Sequence, residues 1–305
     1  MTLEAVPYIT LLGFLYGSTL IASRFSIGQF EPTTFAGLRL LLAGLGHLAY
    51  FWLAGGRRRW PVDLRLRRHA VFLGVLGTAV PMTLIVTALQ YLSSGIAAVL
   101  ITTNPAVTVL LAHFLLVDER LNGRKSAGVA LALVGAAVLA FSGESGLPDV
   151  SQADPRGYLL MSAAMLMGSG MTIYIRRYMQ DMDVLAVSRV RLVTAAVVVM
   201  PLSALFVGVD LGQVTGPGYA ALGYSAVVGT FGGMLMEFYN VKRFGATAGA
   251  MTAYVIPMVA VAGGWLLLDE RITPTMLGGM GLIVEGIALL NRGSRGAGGQ
   301  RSREA

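Results

Sequence analysis

The sequence predicts an all-α integral membrane protein with ten transmembrane helices, arranged as two inverted five-helix repeats, and with N-terminus and C-terminus cytoplasmic. Three observations predict it. Apolar residues fall in ten runs of about 20, the length that crosses a bilayer as helix. The two halves share a register 151 to 152 residues apart. Lysines and arginines gather in alternate gaps between the runs.

Composition sets the solvent. Of 305 residues, 55% are hydrophobic and 13% charged, with a mean hydropathy of +0.69. A soluble domain carries about 25% charged residues. A single core of this size cannot hide so much apolar surface from water, so lipid is the expected solvent. Cysteine is absent, which excludes disulfides and thiolate metal sites. The net charge of +7 does not point to nucleic acid, because the basic residues form no continuous face.

The helices are justified in order. The first, 6–25, has no basic stretch before it and no small-residue exit, so it reads as a mature span rather than a cleaved leader. It carries Tyr16 and the small-residue pattern GFLYG (13–17), which lets a neighbouring backbone approach. The second, 32–53, holds Arg39 and His47. The basic gap GGRRRWPVDLRLRRH (55–69) leads to the third, 70–91, with Thr78, Pro81, Met82, Thr83, Gln90 and Tyr91. The fourth, 95–117, has Thr102 and Asn104-Pro105 near its middle and ends on LLVDERL (115–121). The fifth, 125–142, is spaced by glycines.

The segment GESGLPDVSQADPR (143–156) joins the halves. The sixth helix, 157–175, carries Ser169 and Thr172, and the seventh, 184–207, carries Arg189 and Arg191. The eighth, 217–240, holds Tyr224, Met234 and Glu237. The ninth, 246–268, holds Tyr254, Pro257 and Trp265 and ends on LLLDERI (266–272). The tenth, 274–291, carries Glu285. This gives a first repeat over 1–143, a linker over 144–156, a second repeat over 157–291 and a basic tail over 292–305, rich in Gly, Arg and Ser and expected to be disordered.

Several anchors fix the register. Asp118-Glu119-Arg120 and Asp269-Glu270-Arg271 differ by 151, as do Gly128 and Gly279, and Gly135 and Gly286. Arg24 and Arg176, Arg39 and Arg191, and Pro105 and Pro257 differ by 152. Their common offset identifies a repeat where no single pair would. Five spans per repeat makes the second half enter from the opposite side. Of the 23 lysines and arginines, 17 fall at the termini and in the gaps after even-numbered helices, 3 in the other gaps, and Arg39, Arg189 and Arg191 within spans. Basic residues stay cytoplasmic, which places both termini there.

The stretches 91–140 and 243–290 each show a small-residue entry, a mid-helix proline, a Leu-rich run into the acidic-Glu-Arg turn, and a Gly-spaced closing helix. In these features the chain resembles the ten-helix EamA branch of the drug/metabolite transporter (DMT) superfamily over nearly its whole length. Within it, the chain is similar to bacterial exporters of amino acids, including aromatic ones. The resemblance implies a multi-pass transporter of the bacterial inner membrane that exports small metabolites by alternating access. Two other readings stay open: a proton-coupled multidrug or cation exporter, and a non-transporting scaffold or sensor.

The cavity is expected near the midplane, between the halves. Mid-helix prolines free backbone carbonyls there, so Asn104-Pro105 and Tyr254 to Pro257 are its first candidates. Tyr16, Ser18, Thr78, Pro81, Met82, Thr83, Tyr91, Thr102, Ser169, Thr172, Tyr224, Met234 and Trp265 complete the set. Arg39, Arg191, Glu237 and Glu285 are candidates for coupling or gating, because charge inside a membrane is costly. For the arginines, snorkelling to the nearby surface is the plainer alternative. The two Asp-Glu-Arg turns are read as structural, their acids capping the next helix. The cavity is expected to be mostly apolar with few fixed charges, which suits a zwitterion better than a phosphorylated sugar. The expected partners are a small-molecule substrate and the bilayer; no cofactor, metal or nucleic acid is expected, no catalytic residue is assigned, and the sequence leaves the oligomeric state open, a monomer being sufficient.

Overall fold

The computed structural model describes residues 4–53, 63–116, 121–150, 152–244 and 246–301. We label its helical segments α1 (Ala5–Phe25), α2 (Pro32–Leu53), α3 (Leu64–Ala88), α4 (Ser94–Leu115), α5 (Gly123–Ser142), α6 (Pro155–Tyr178), α7 (Val184–Phe206), α8 (Gly216–Phe244), α9 (Ala246–Leu268) and α10 (Pro274–Arg301). Among the described residues, nine helices are long and apolar enough to cross a membrane; α2, at 22 residues, is not one of them. The segment expected to be a disordered tail continues α10 as far as Arg301, with no proline to stop it.

Local chemistry explains where helices begin. Each of six starts is capped by a polar side chain that accepts an otherwise unpaired backbone N–H. Asp63 accepts from Arg65, Ser93 from Ile96, Asn122 from Lys125, Asp154 from Arg156, Asp183 from Leu185 and Ala186, and Thr215 from Gly218. The Asp63 cap starts α3 six residues before the expected position, adding a basic turn outside the apolar run. Gly143, at φ 65°, closes α5 in the left-handed region that favours glycine.

The helices are not all continuous. A wide π turn occupies Val75–Ala79 of α3, and another occupies Ser225–Gly232 of α8. The helix α4 breaks at Thr102-Thr103, whose hydroxyls donate back to the carbonyls of Val99 and Leu100. Asn104-Pro105 then opens the second piece, so the mid-span break falls where the proline predicts it.

The most extensive buried apolar cluster among the described residues gathers Leu92, Ile96, Met161, Ile283 and Ile287, where α3, α4, α6 and α10 meet. On the outer surface Phe141, Leu53, Phe206 and Trp52 are at least 80% exposed, as lipid-facing side chains would be. The helices α5 and α10 touch through glycine. A Cβ added to Gly128 would lie 2.6 Å from the Gly286 carbonyl oxygen, and one on Gly135 would lie 2.7 Å from that of Gly279. The helix α1 approaches α9 in the same manner at Gly17, against the Ile256 carbonyl.

A bulkier residue here must separate the helices, since backbone cannot rotate out of the way. Gly135→Val is expected to lower stability by about 1–3 kcal/mol, the usual cost of overpacking, whereas Gly170→Val, where nothing lies within 4 Å of the added Cβ, is expected to have little steric effect. Thermal unfolding of both variants in detergent checks this.

Candidate functional site

Two chambers meet inside the bundle. One, of about 260 Å³, is lined by Tyr16, Thr19, Leu20, Ser23, Pro81, Ile85, Val86, Ile101 and Ile256 together with Arg39, Gly77, Thr78, Met82 and Arg191. The other, of about 420 Å³, shares Tyr16, Arg39, Gly77, Thr78, Met82 and Arg191 and adds Leu73, Asn104, Gly168, Met171, Thr172, Ile175, Gly229, Thr230, Met234 and Glu237. The shared residues form a belt between them. The larger chamber lies toward the start of α3 and the ends of α6 and α8, next to Lys/Arg-rich segments. The smaller extends toward the ends of α1 and α3.

The belt is built from helix irregularities. Pro81 has no N–H, so the Gly77 carbonyl four residues earlier lacks its helical donor. Arg191 Nη2 donates to that carbonyl at 3.1 Å, and Arg191 Nε donates to Thr78 Oγ1. Both acceptors sit in the π turn of α3. On the opposite side, Arg39 Nε donates to Thr230 Oγ1 at 2.7 Å and Nη1 donates to Ser23 Oγ at 3.1 Å. Thr230 sits in the π turn of α8. Such wide turns recur at functional sites because they free backbone groups inside a helix.

Tyr16 Oη donates to Glu237 Oε2 at 2.7 Å across the larger chamber. Ser169 Oγ donates to Asn104 Oδ1 at 2.5 Å, which fixes the side chain beside the α4 break. The belt therefore carries two guanidiniums, and the larger chamber a carboxylate. Away from the belt the smaller chamber is mostly apolar, whereas the larger chamber mixes polar and apolar lining. The snorkelling alternative is corrected for Arg39, which is 9% exposed and turned inward, held by hydroxyls of α1 and α8.

Of the sequence candidates, Tyr16, Thr78, Pro81, Met82, Asn104, Thr172, Met234, Arg39, Arg191 and Glu237 line the chambers. The others lie elsewhere. Thr83 donates to the Ala79 carbonyl and lines a lateral apolar groove. Tyr91 packs beside the α3–α6 core, where Gly157 approaches it. Thr102 and Pro105 shape the α4 break, and Ser169 supports Asn104 from behind. Tyr224 and Ser18 share a 2.7 Å hydrogen bond, and Tyr254 accepts from Asn291 Nδ2 at 2.9 Å. Pro257 is buried within a continuous α9. Trp265 and Glu285 are exposed on outer faces and line neither chamber.

Sequence reasoning passed over Gly229-Thr230. The signal was present: Gly77-Thr78 recurs as Gly229-Thr230 at the 152-residue offset. Ser23 and Thr19 left no such mark, being single hydroxyls in an apolar run.

Asp118-Glu119-Arg120 lies outside the described residues. In the second copy, Asp269 is exposed with φ 53° and Arg271 is exposed, while Glu270 is 4% exposed. The expectation that the acids of this turn cap the next helix fails for Glu270; Thr273 holds the start of α10 by accepting from Met276 N–H. Glu270 instead caps α4. Its carboxylate accepts from Ser94 N–H at 2.7 Å, Ser94 Oγ at 2.8 Å and Gly95 N–H at 3.3 Å. Burial pushes this carboxyl above the ordinary range, and the Ser94 and Gly95 donors and the nearby Arg24 pull it back down. The interaction ties the α9–α10 turn to α4 at the end of the bundle away from the larger chamber.

The family model described as "EamA-like transporter family" matches residues 3–141 and again 155–292. The chain is 27% identical over 284 residues to a relative in Escherichia coli (strain K12) described as the "Uncharacterized inner membrane transporter YedA", covering 92% of this chain and 89% of that one. It is 24% identical over 282 residues to a "Probable amino-acid metabolite efflux pump" of the same organism, covering 90% of each. A solved crystal structure shares the fold, with a TM-score of 0.63, 21% identity and coverage of 95% of this chain and 96% of the other.

Removing the Glu270 carboxylate strands three buried donors. Glu270→Ala is expected to cost about 1–3 kcal/mol and to expose Ser94. On this cysteine-free chain, Ser94→Cys is expected to react with a polar thiol reagent much faster when Glu270→Ala is also present; equal rates would show that the cap does not close this end.

Proposed function

The chain belongs to the EamA-like transporter family, and from that premise we propose that it exports small metabolites, chiefly amino acids with large apolar or aromatic side chains, through its central cavity. It is a multi-pass transporter of the inner membrane, as its inner-membrane relative and the nine long apolar helices among the described residues indicate. The observation that carries the finer reading is the belt, with one chamber on each side of it.

Alternating access needs two halves that rock about a fixed site. Ten spans, with α2 as the second, arranged as two inverted five-helix repeats, supply them. Gly128 packs on the repeat mate of Gly135, and Gly135 on the repeat mate of Gly128, which is the exchange a two-fold axis between α5 and α10 requires. The lysine and arginine distribution favours cytoplasmic termini, so the larger chamber faces the cytoplasm. The substrate enters there, rests against the belt, and leaves once the Glu270 end opens. Its side chain lies among Leu20, Met82, Ile85 and Ile256, where methionine gives adaptable apolar surface. Two guanidiniums at the belt weigh against a cation exporter, which needs a carboxylate or an aromatic cage. The amino-acid metabolite efflux pump among the relatives is consistent with this substrate class.

The test is counterflow in proteoliposomes with radiolabelled amino acids and quaternary cations, with and without a proton gradient. Exchange of large apolar amino acids well above protein-free liposomes is expected. Transport of the cations with no amino acid moved would overturn the reading. Glu237→Gln tests coupling: a proton-coupled carrier loses its response to the gradient, whereas a facilitator has no such response to lose.

A further inference from the structure

The belt shows an exchange between the halves that reaches beyond general cavity lining. Arg39 and Arg191 are 152 residues apart, and so are Thr78 and Thr230. Arg39, on α2, is bonded to Thr230, and Arg191, on α7, is bonded to Thr78. Each guanidinium thus reaches into the π turn of the opposite half.

Every one of their partners is uncharged. Arg39 donates to two hydroxyls, Arg191 to one hydroxyl and one carbonyl. Among the described residues, neither has a carboxylate within ion-pair distance. Each guanidinium has five N–H donors in a rigid fork, and the bonds above use only part of them. Glu237 lines the larger chamber and gives its Oε2 to Tyr16. Glu237, in the same chamber, offsets one of the two positive charges at longer range, which leaves an excess of one in the lining. A buried guanidinium stays charged, and leaving that excess unanswered is expensive unless something arriving in the cavity supplies the negative charge.

We infer that this cavity selects substrates by a carboxylate, which Arg39 and Arg191 take together at the belt. The inference rests on the transport reading of the same site. A carboxylate has two oxygens and the geometry to accept from guanidinium forks, and it brings one charge to a lining that has an excess of one. Thr78 and Thr230 hold the guanidiniums in place while the site is empty and give way, or share, when a carboxylate arrives. A substrate ammonium, where one is present, faces Glu237 and the Tyr16 hydroxyl. The Arg–Thr bonds cross between the halves, so a carboxylate bridging both arginines also bridges both halves, and binding is felt by the elements that must move.

The experiment uses the full chain, purified in detergent. Ligand-induced thermal stabilisation is measured across amino acids and simple organic acids, each beside its matched amide, alcohol and amine, for example phenylalanine, phenylalaninamide, phenylalaninol, phenethylamine and 3-phenylpropionate. Acids are expected to stabilise the protein at concentrations roughly tenfold to a hundredfold below their neutral or amine counterparts, the range that one lost charge-assisted pair sets. Arg39→Gln and Arg191→Gln are expected to abolish that preference, and Arg→Lys at either position to keep part of it. Where a glutamine variant fails to fold, the lysine variant carries the test, and an acid preference undiminished in both lysine variants would overturn the inference; Glu285→Gln, on an exposed face that lines neither chamber, is the control in which the preference is expected to stay. The inference falls if no acid is preferred over its counterpart, or if Arg39→Gln weakens acids and amines equally. Proteoliposome exchange on the same panel separates the two claims. Organic acids bound and moved with amino acids refused would remove amino-acid export and leave the carboxylate site. Amines exchanged as well as acids would remove the carboxylate site and leave transport.

Discussion

In lipid, no water accepts or donates to a loose backbone group, so each N–H and C=O must find its partner within the protein. The rest of this structure depends on that constraint. It makes almost every crossing element a helix, and it dictates where a helix is allowed to fail. The failures at Val75–Ala79, Thr102-Thr103 and Ser225–Gly232 lie beside the chambers. The carbonyl that Pro81 releases is taken by Arg191, and the threonines at the α4 break fold back onto their own helix. Irregularity is thus paired with a polar partner or with a cavity wall. The same constraint explains Glu270, whose oxygens satisfy the first N–H groups of α4 where no residue of α4 itself could satisfy them all.

Two kinds of contact hold the halves together, and they differ physically. At the glycine faces of α5 and α10, backbone meets backbone, and attraction is dispersion over a smooth surface. At the belt, guanidiniums are bonded to hydroxyls, which is directional and tied to charge. A smooth contact tolerates rotation. A directional one has discrete states, made or unmade.

Much of this was legible in the sequence because membranes make sequence patterns coarse. Apolar runs of fixed length placed most helix ends to within a few residues, the start of α3 and the end of α10 excepted, and Pro105 placed the α4 break. The two stretches that the family model matches separately were visible beforehand because Asp-Glu-Arg stands out against leucine. The chemistry of the site was harder to read. Arg39 lies two turns into α2, and distance along a helix does not say whether a long side chain turns to the surface or to the interior; hydroxyls from α1 and α8 decide it. Glu270 was legible as a helix-end acid, but its partner Ser94 is 176 residues away, a distance no local rule spans. Glu285 drew attention as a charge within a span, yet its face of α10 points outward. Gly229-Thr230 was hidden only because two small residues in an apolar run carry little weight until the repeat offset is applied to them.

The glycine crossing carries a consequence for how such a chain changes over generations. Gly128 and Gly286 each stand where the other's carbonyl would strike a Cβ. Neither can accept alanine while its opposite stays in place, and replacing both crowds the crossing twice over. Substitution is therefore blocked in single steps and in pairs alike, and drift along α5 and α10 is pushed onto their outer faces. Two segments packed this way are thus held to the same small residue at their crossing by mutual exclusion, however much the rest of each differs.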